Sequence, residues 1–191
     1  MAVIYLHGFN GSSKSHKATV LRRHLQQHGL AHALSIPDLA HDPRRAVASV
    51  ETLIERVPGQ RLAFVGSSLG GFYAAWLAER HHARAVLINP AMRPFELLGP
   101  YVGQQVNPYT GEAYQLCREH LEQLRELRVK RFSRPQDVLL LVQTGDEVID
   151  YRQTLACLPD VRRHVIAGGS HAFEAFENVL DEIVEFCRES L

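Results

Sequence analysis

Short apolar segments alternate along the chain with longer segments of helical periodicity, and this alternation restricts the possible folds more than any other feature. Several of the apolar segments are nearly continuous, which is typical of strands buried on both faces of a parallel sheet. The predicted strands cover residues 2–7, 32–37, 61–66, 84–89, 137–143 and 162–167. Strands separated by helices throughout predict an α/β fold with a doubly wound, mainly parallel sheet of six strands.

The predicted helices fill the intervals between these strands. One of them, residues 42–59, begins with Asp42 as a possible N-cap and Pro43 at the first helical position. The last, residues 172–191, carries one apolar stripe: Phe173, Phe176, Val179, Leu180, Ile183 and Phe186. Because the 191 residues contain no repeat and no linker, we predict a single domain over residues 1–191.

One long interval breaks the alternation. No convincing strand is recognisable between Asn89 and Asp137, where the first half is rich in Pro and Gly and the second half, residues 112–129, has helical spacing. Insertions of this length in a compact domain are usually functional. We therefore predict a lid-like insertion at about residues 91–135; the alternative is a surface segment that merely packs back onto the domain.

Charge and cysteine content exclude several classes of function. Lys+Arg and Asp+Glu both count 21, so nothing predicts nucleic-acid binding. The three cysteines follow no metal-ligand pattern and indicate a reducing compartment. His24 and His28 are four residues apart on a predicted helix, but no carboxylate motif accompanies them, and we interpret them as surface histidines. We expect no metal, no cofactor, no signal peptide and no membrane span, and a cytoplasmic location.

The segment Gly66-Ser67-Ser68-Leu69-Gly70 has the pattern G-x-S-x-G, with Ser68 at its centre. The pattern alone is common, but this copy directly follows a predicted buried strand and opens a helix, as a nucleophile elbow must. Glycines two residues before and after the serine let strand and helix approach without Cβ clashes. Ser68 is therefore the candidate nucleophile, and Ser67 is a small residue that fits the turn.

A serine nucleophile needs a base, and the base needs an orienting carboxylate. His171 lies after the last predicted strand in a Gly-rich loop, and Asp146 comes first after the fifth, with Asp150 as the alternative carboxylate. Loops that follow parallel strands gather at one edge of the sheet, so these residues are expected to meet Ser68 there. The order Ser, Asp, His is also the chain order of an α/β hydrolase.

The loop "LHGFN" after the first strand is the expected source of a backbone N–H for an oxyanion hole, from Phe9, with a second N–H from Leu69. We interpret His7 as a residue that packs the loop rather than as a second base. Asn89 and Arg93 follow the fourth strand on the same edge of the sheet. They are expected either to bind substrate or to fix the insertion.

The sequence resembles the α/β-hydrolase superfamily and, more closely, the small bacterial YqiA-like esterases. The matching segments are "YLHGFNGSSKSHKA", "VGSSLGGFYAAWL", "NPAMRPFELL", "NPYTGE", "QTGDEVIDYRQ" and "GGSHAF". The resemblance implies Ser68 as nucleophile, Asp146 as acid and His171 as base. It also implies esterase activity and a hydrolase core without its first two strands, with the sheet order 2-1-3-4-5-6.

The predicted function is therefore a cytoplasmic serine esterase that forms an acyl-enzyme on a small-molecule ester with an apolar acyl group. A thioesterase acting on acyl-CoA would use the same three residues and remains an alternative. A non-catalytic ligand- or partner-binding protein on a hydrolase scaffold is the alternative from another class. No sequence signal indicates an oligomeric state.

Overall fold

The computed structural model describes residues 1–189. The strands are β1 (Ala2–Leu6), β2 (Leu34–Ser35), β3 (Leu62–Ser67), β4 (Arg84–Ile88), β5 (Gly103–Val106), β6 (Ala113–Leu116), β7 (Val138–Gln143) and β8 (Arg162–Ile166). The helices are α1 (His16–Gln27), α2 (Pro43–Ile54), α3 (Leu69–His81), α4 (Pro94–Leu97), α5 (Arg118–Glu126), α6 (Tyr151–Cys157) and α7 (Leu180–Arg188). None of these helices, in the part of the chain that the structure describes, is long and apolar enough to cross a membrane.

Six of the strands form one sheet in the order β2-β1-β3-β4-β7-β8. Every neighbouring pair in this sheet is parallel. The predicted α/β-hydrolase fold and its strand order 2-1-3-4-5-6 are thus confirmed, with β7 and β8 as the fifth and sixth strands of the sheet. Since all six strands run in one direction, the loops that follow them meet at one edge.

Two apolar cores cover the two faces of the sheet. On one face, α1 and α7 pack against β1, β3, β4 and β7 through side chains that include Leu21, Leu25, Ile183 and Phe186. On the other face, α2, α3 and α6 pack against the same strands, and part of the insertion joins them. The strands are apolar at nearly every position because both of their faces are buried.

The two outer strands differ from the central ones. β2 contains only Leu34 and Ser35 of the predicted strand 32–37. β8 lies at the other edge, and its side chains are mostly exposed, in accord with its polar sequence Arg162-Arg163-His164. Because the side chains of β8 reach solvent on both faces, they can be polar, unlike those of the buried central strands.

The C-terminal helix is shorter than predicted. The segment 172–191 begins with turns, continues as a 3₁₀ helix over Phe176–Val179 and becomes α-helical only at Leu180. Phe173 and Ala175 have positive φ angles, 61° and 51°, which an α-helix does not allow. The predicted stripe is nevertheless buried on the sheet. Ser190 and Leu191 of the predicted helix and domain lie outside the described residues.

The segment between β4 and β7 contains strands, which corrects the prediction of a strand-free insertion. β5 and β6 pair in antiparallel register, with Gly103 opposite Leu116 and Val106 opposite Ala113. α5 starts only after Cys117, so the first residues of the predicted helix 112–129 belong to β6. Both strands are short, polar and half-exposed, so they lack the buried apolar pattern by which a strand is recognised.

Candidate active site

The turn between β3 and α3 holds Ser68 in a strained conformation. Its φ angle is 56° and its ψ angle −121°, a region that non-glycine residues rarely occupy. The flanking glycines make the turn possible: a Cβ on Gly66 would lie 2.1 Å from the Gly70 carbonyl oxygen, and one on Gly70 would lie 2.0 Å from the Leu6 oxygen. The small-residue pattern of the sequence therefore reflects direct contact between backbones.

Three side chains from the ends of different strands form a continuous hydrogen-bonded chain. The Ser68 Oγ lies 3.0 Å from the Nε2 of His171, which follows β8. The His171 Nδ1 lies 2.9 Å from the Oδ2 of Asp146, which follows β7. The Asp146 side chain is almost fully buried, whereas the His171 side chain is 21 % exposed. The structure thus brings together the three residues that sequence analysis selected for this chemistry.

The Asp146 carboxylate is held by more than the histidine. Burial alone would raise the pKa of Asp146, but hydrogen bonds from the His171 ring and from the backbone N–H groups of Ile149 and Val148 outweigh it and lower that pKa. Asp146 is therefore a carboxylate at neutral pH. Since a carboxylate only accepts hydrogen bonds, it fixes the proton of His171 on Nδ1 and leaves Nε2 free to accept from Ser68.

The alternative carboxylate and the second serine lie elsewhere. Asp150 caps α6, and its side chain accepts a hydrogen bond from the Arg152 N–H. Ser67 is the last residue of β3 and is buried, with 4 % exposure. His7 is also buried; its Nε2 accepts a hydrogen bond from the Leu39 N–H, which ties the loop after β1 to the segment after β2. None of these three continues the hydrogen-bonded chain of Ser68.

Asn89 lies beneath the His171 loop rather than in the open site. Its Nδ2 donates to the Ser170 carbonyl oxygen at 3.0 Å, and its Oδ1 accepts from the Gln143 N–H at 3.0 Å. Gln143, which sequence analysis did not select, extends this contact, because its Oε1 accepts from the N–H groups of Ser170 and Glu174. The sequence does contain a signal for Gln143, because it is a polar residue at the end of an otherwise apolar buried strand. Together the two amides set the path of the loop that carries His171.

Arg93 likewise lies outside the cavity that contains Ser68. Its guanidinium pairs with the Glu96 carboxylate on the next turn and is half-exposed. Arg93 and Glu96 line a neighbouring depression of about 220 Å³, which shares Leu97, Val148 and Ile149 with the cavity above Ser68. Neither Asn89 nor Arg93 lines the cavity above Ser68, so the structure does not bring these two candidate substrate-binding residues to the site. Asn89 makes the structural contacts just described, and Arg93 contacts its own helix.

Phe9 and Leu69, the predicted donors of an oxyanion hole, line the same cavity as Ser68. Gly8 allows the close approach of the loop after β1, since a Cβ there would lie 3.2 Å from the Ser68 Cβ. Leu69 is the first residue of α3, and the first N–H groups of a helix have no partner within it. Within residues 1–189 neither N–H donates a hydrogen bond. Among these residues, neither donor is thus committed to another acceptor.

A cavity of about 830 Å³ opens above these groups. Its walls are largely apolar, and much of the apolar surface comes from the insertion and from the segment after β7: Pro94, Leu97, Leu98, Tyr101, Val148 and Ile149. Phe9 and Tyr101 contact each other edge to face, with ring centroids 5.7 Å apart. A largely apolar cavity of this size is typical of sites that bind small molecules.

His24 and His28 lie close to Asp181, a carboxylate that sequence patterns do not connect with them. Asp181 of α7 lies opposite them, with its Oδ1 3.2 Å from the His24 Nε2. One ligand atom from each of the three lies within 4.8 Å of the others. Two histidines and a carboxylate suit a divalent transition metal. The group lies on the α1 and α7 face, and the cavity above Ser68 does not include it.

The fold is shared with solved structures of low sequence identity. Est1E from Butyrivibrio proteoclasticus, whose structure contains ferulic acid, superposes with a TM-score of 0.72 at 15 % identity, over 97 % of this chain and 87 % of that one. Mouse alpha/beta hydrolase domain-containing protein 10 superposes with a TM-score of 0.72 at 16 % identity, over 96 % and 88 %. These similarities establish the α/β-hydrolase fold.

The sequence comparison is more specific. A UPF0227 protein from Pectobacterium carotovorum is 25 % identical over 138 residues, which cover 72 % of this chain and 76 % of that protein. A second UPF0227 protein, from Pectobacterium atrosepticum, is 25 % identical over 163 residues, or 85 % and 89 %. The model of a family described as "Uncharacterised protein family (UPF0227)" matches residues 2–188. The chain therefore belongs to UPF0227, the YqiA-like family that its sequence motifs resemble.

Proposed function

We propose that the protein is a serine hydrolase that cleaves carboxylic esters through an acyl-enzyme on Ser68. The observation that carries the proposal is the hydrogen-bonded chain from Ser68 Oγ through His171 to the buried Asp146. A lone serine hydroxyl is a weak nucleophile, and a neutral imidazole at 3.0 Å is positioned to remove its proton. An esterase domain of a Rhodothermus marinus protein, which has a similar fold, is consistent with this chemistry.

In the proposed reaction, Ser68 Oγ attacks the ester carbonyl carbon while His171 Nε2 takes its proton. Asp146 stabilises the resulting imidazolium and keeps its orientation. The N–H groups of Phe9 and Leu69 bind the negative oxygen of the tetrahedral intermediate. His171 then returns the proton to the leaving alcohol, and a water molecule, activated by the same imidazole, hydrolyses the acyl-enzyme. No step requires a metal or a cofactor.

The insertion contributes to substrate binding in this proposal, as a lid of the single domain. The part of the cavity wall that the insertion forms includes Leu97, Leu98 and Tyr101. Because these side chains are apolar, they favour an apolar acyl group through the hydrophobic effect, at about 0.8 kcal/mol for each buried CH₂. A series of 4-nitrophenyl esters of increasing chain length, measured beside acyl-CoA thioesters of equal length, would define the preferred acyl group.

The decisive experiment compares the two neighbouring serines. Ser68→Ala should reduce kcat for 4-nitrophenyl butanoate by roughly four orders of magnitude or more, since it removes the nucleophile. Ser67→Ala should retain most of the activity. A fluorophosphonate probe should label Ser68 of the unmodified protein, as identified by peptide mass spectrometry. Full activity in Ser68→Ala would refute the mechanism, and a folded protein without a Ser68 adduct would favour a non-catalytic ligand-binding role.

A further inference from the structure

The cavity above Ser68 contains one permanent charge. Lys17 lies in the first turn of α1 and lines the cavity together with Ser15 and His16. Among the described residues that line this cavity, no other lysine and no arginine, aspartate or glutamate is present. Apart from His16 and His171, the remaining walls are apolar or uncharged, so a charged group of a bound molecule will be drawn to, or repelled by, the Lys17 ammonium.

The Lys17 ammonium has a hydrogen bond but no counter-charge in contact. Its Nζ donates to the Ala172 carbonyl oxygen at 2.6 Å. Within residues 1–189 no carboxylate forms an ion pair with it. Burial lowers the pKa of Lys17, and only the more distant attraction of Asp146 opposes this effect. An ammonium has three donors, so two remain for a ligand, and a partly buried cation is stabilised when an anion arrives.

The contact with Ala172 also indicates which part of an ester lies near Lys17. Ala172 follows His171 directly, so Lys17 is on the histidine side of the cavity. In the proposed mechanism His171 must protonate the leaving oxygen, and the alcohol portion of the ester therefore lies on that side. The apolar residues of the insertion form another part of the wall and suit the acyl portion.

We propose that Lys17 makes the site selective for esters whose alcohol portion carries a negatively charged group. The inference rests on the proposed esterase function and adds the substrate class to it. The N-terminus of α1, where Ser15, His16 and Lys17 line the cavity, supports the same preference, because a helix N-terminus attracts anions. An ester of this kind has an apolar acyl group at one end and an anionic group, such as a carboxylate, at the other.

Two matched esters test the proposal. The 4-carboxyphenyl and 4-carbamoylphenyl esters of butanoic acid share the acyl group and differ in the charge of the leaving phenol. We expect Lys17→Met to lower the ratio of their kcat/KM values, charged over neutral, by about tenfold or more, the effect of a lost hydrogen bond between charged groups. Lys17→Arg should keep most of the preference. Lys14→Met, an exposed lysine just before the same helix, should leave the ratio unchanged.

The outcomes separate the inference from the function on which it rests. If Lys17→Met lowers both rates equally, Lys17 only positions the His171 loop, and the inference is overturned. The same holds if the ratio does not change. If Lys17→Met instead lowers the ratio for 4-nitrophenyl hydrogen succinate over 4-nitrophenyl butanoate, the charge lies on the acyl side and the proposed orientation is wrong. An unmodified protein that hydrolyses none of these esters refutes the esterase function itself.

Discussion

Ser68 combines a strained backbone with several backbone hydrogen bonds. A positive φ angle at a non-glycine residue costs roughly 1–3 kcal/mol. The Ser68 N–H donates to the Ile88 carbonyl oxygen at 3.0 Å, and the Ser68 carbonyl oxygen accepts from the Ala91 N–H at 3.1 Å. These bonds tie the turn to the end of β4 and to the segment after it. The surrounding structure thus maintains a conformation that presents the hydroxyl to His171.

Asp146 and Asp150 provide a matched pair for testing the role of the carboxylate. Asp146→Asn should reduce kcat by on the order of 10⁴-fold, because an amide can donate to His171 Nδ1 and stabilise the wrong tautomer. Asp150→Asn should retain activity, since asparagine also caps helices well and Asp150 serves as the N-cap of α6. Steady-state hydrolysis of 4-nitrophenyl butanoate measures both. The opposite ranking of the two variants would assign the carboxylate role to Asp150.

Among the secondary-structure elements, the β5–β6 hairpin supports the loop that carries Phe9. The Tyr114 hydroxyl of β6 donates to the Asn10 Oδ1 at 2.7 Å, and the Asn107 Nδ2 donates to the Gly11 carbonyl oxygen at 3.0 Å. Asn10 itself has a φ angle of 52°. The insertion therefore contributes more than a wall of the cavity: it holds in place the loop whose N–H group we assign to oxyanion binding.

Tyr114→Phe should lower kcat about fivefold through this contact. The change removes one hydrogen bond, worth about 1 kcal/mol, and loosens the loop after β1 in the transition state. KM should change little, because the phenol does not line the cavity above Ser68. Gln115→Ala is the control, since Gln115 is the exposed neighbour on the same strand. A Tyr114→Phe variant with unchanged kcat, or with only a raised KM, would show that the hairpin does not position the loop.

At the scale of the whole molecule, the sequence predicts the strands and helices that follow regular apolar patterns. It does not predict contacts between side chains of different secondary-structure elements. Continuous apolar segments identify the central strands, and parallel topology then places the ends of β3, β7 and β8 at one edge, where Ser68, Asp146 and His171 meet. The exposed hairpin has no such pattern. Similarly, no local signal indicates that Lys17 faces the cavity or that Asn89 lies under the His171 loop, because both positions result from tertiary packing.

The end of the sheet at which the strands begin, opposite to the candidate active site, contains buried charges that we expect to serve stability alone. The Arg84 guanidinium at the start of β4 lies 3.6 Å from the Asp137 carboxylate, and both side chains are at most 7 % exposed. Arg134 also pairs with Asp137, at 2.8 Å. Arg84 also pairs with the Glu189 carboxylate at 3.0 Å, so Asp137 belongs to a network of charges in which the loss of one partner leaves the others less well compensated. This edge is therefore sensitive to substitution although it lies far from the reacting atoms.

Asp137→Ala should lower the free energy of unfolding by about 2 kcal/mol, because it removes the buried carboxylate that pairs with Arg84 and Arg134. Asp160→Ala is the matched control: Asp160 pairs with Arg131 at 3.8 Å, and both side chains are more than half exposed. An exposed pair of this kind contributes about 0–1 kcal/mol. Urea unfolding followed by circular dichroism measures both variants. Equal losses of stability in the two would contradict the importance of the buried pair, whereas a fall in kcat of folded Asp137→Ala would contradict the separation of the stabilising edge from the reactive one.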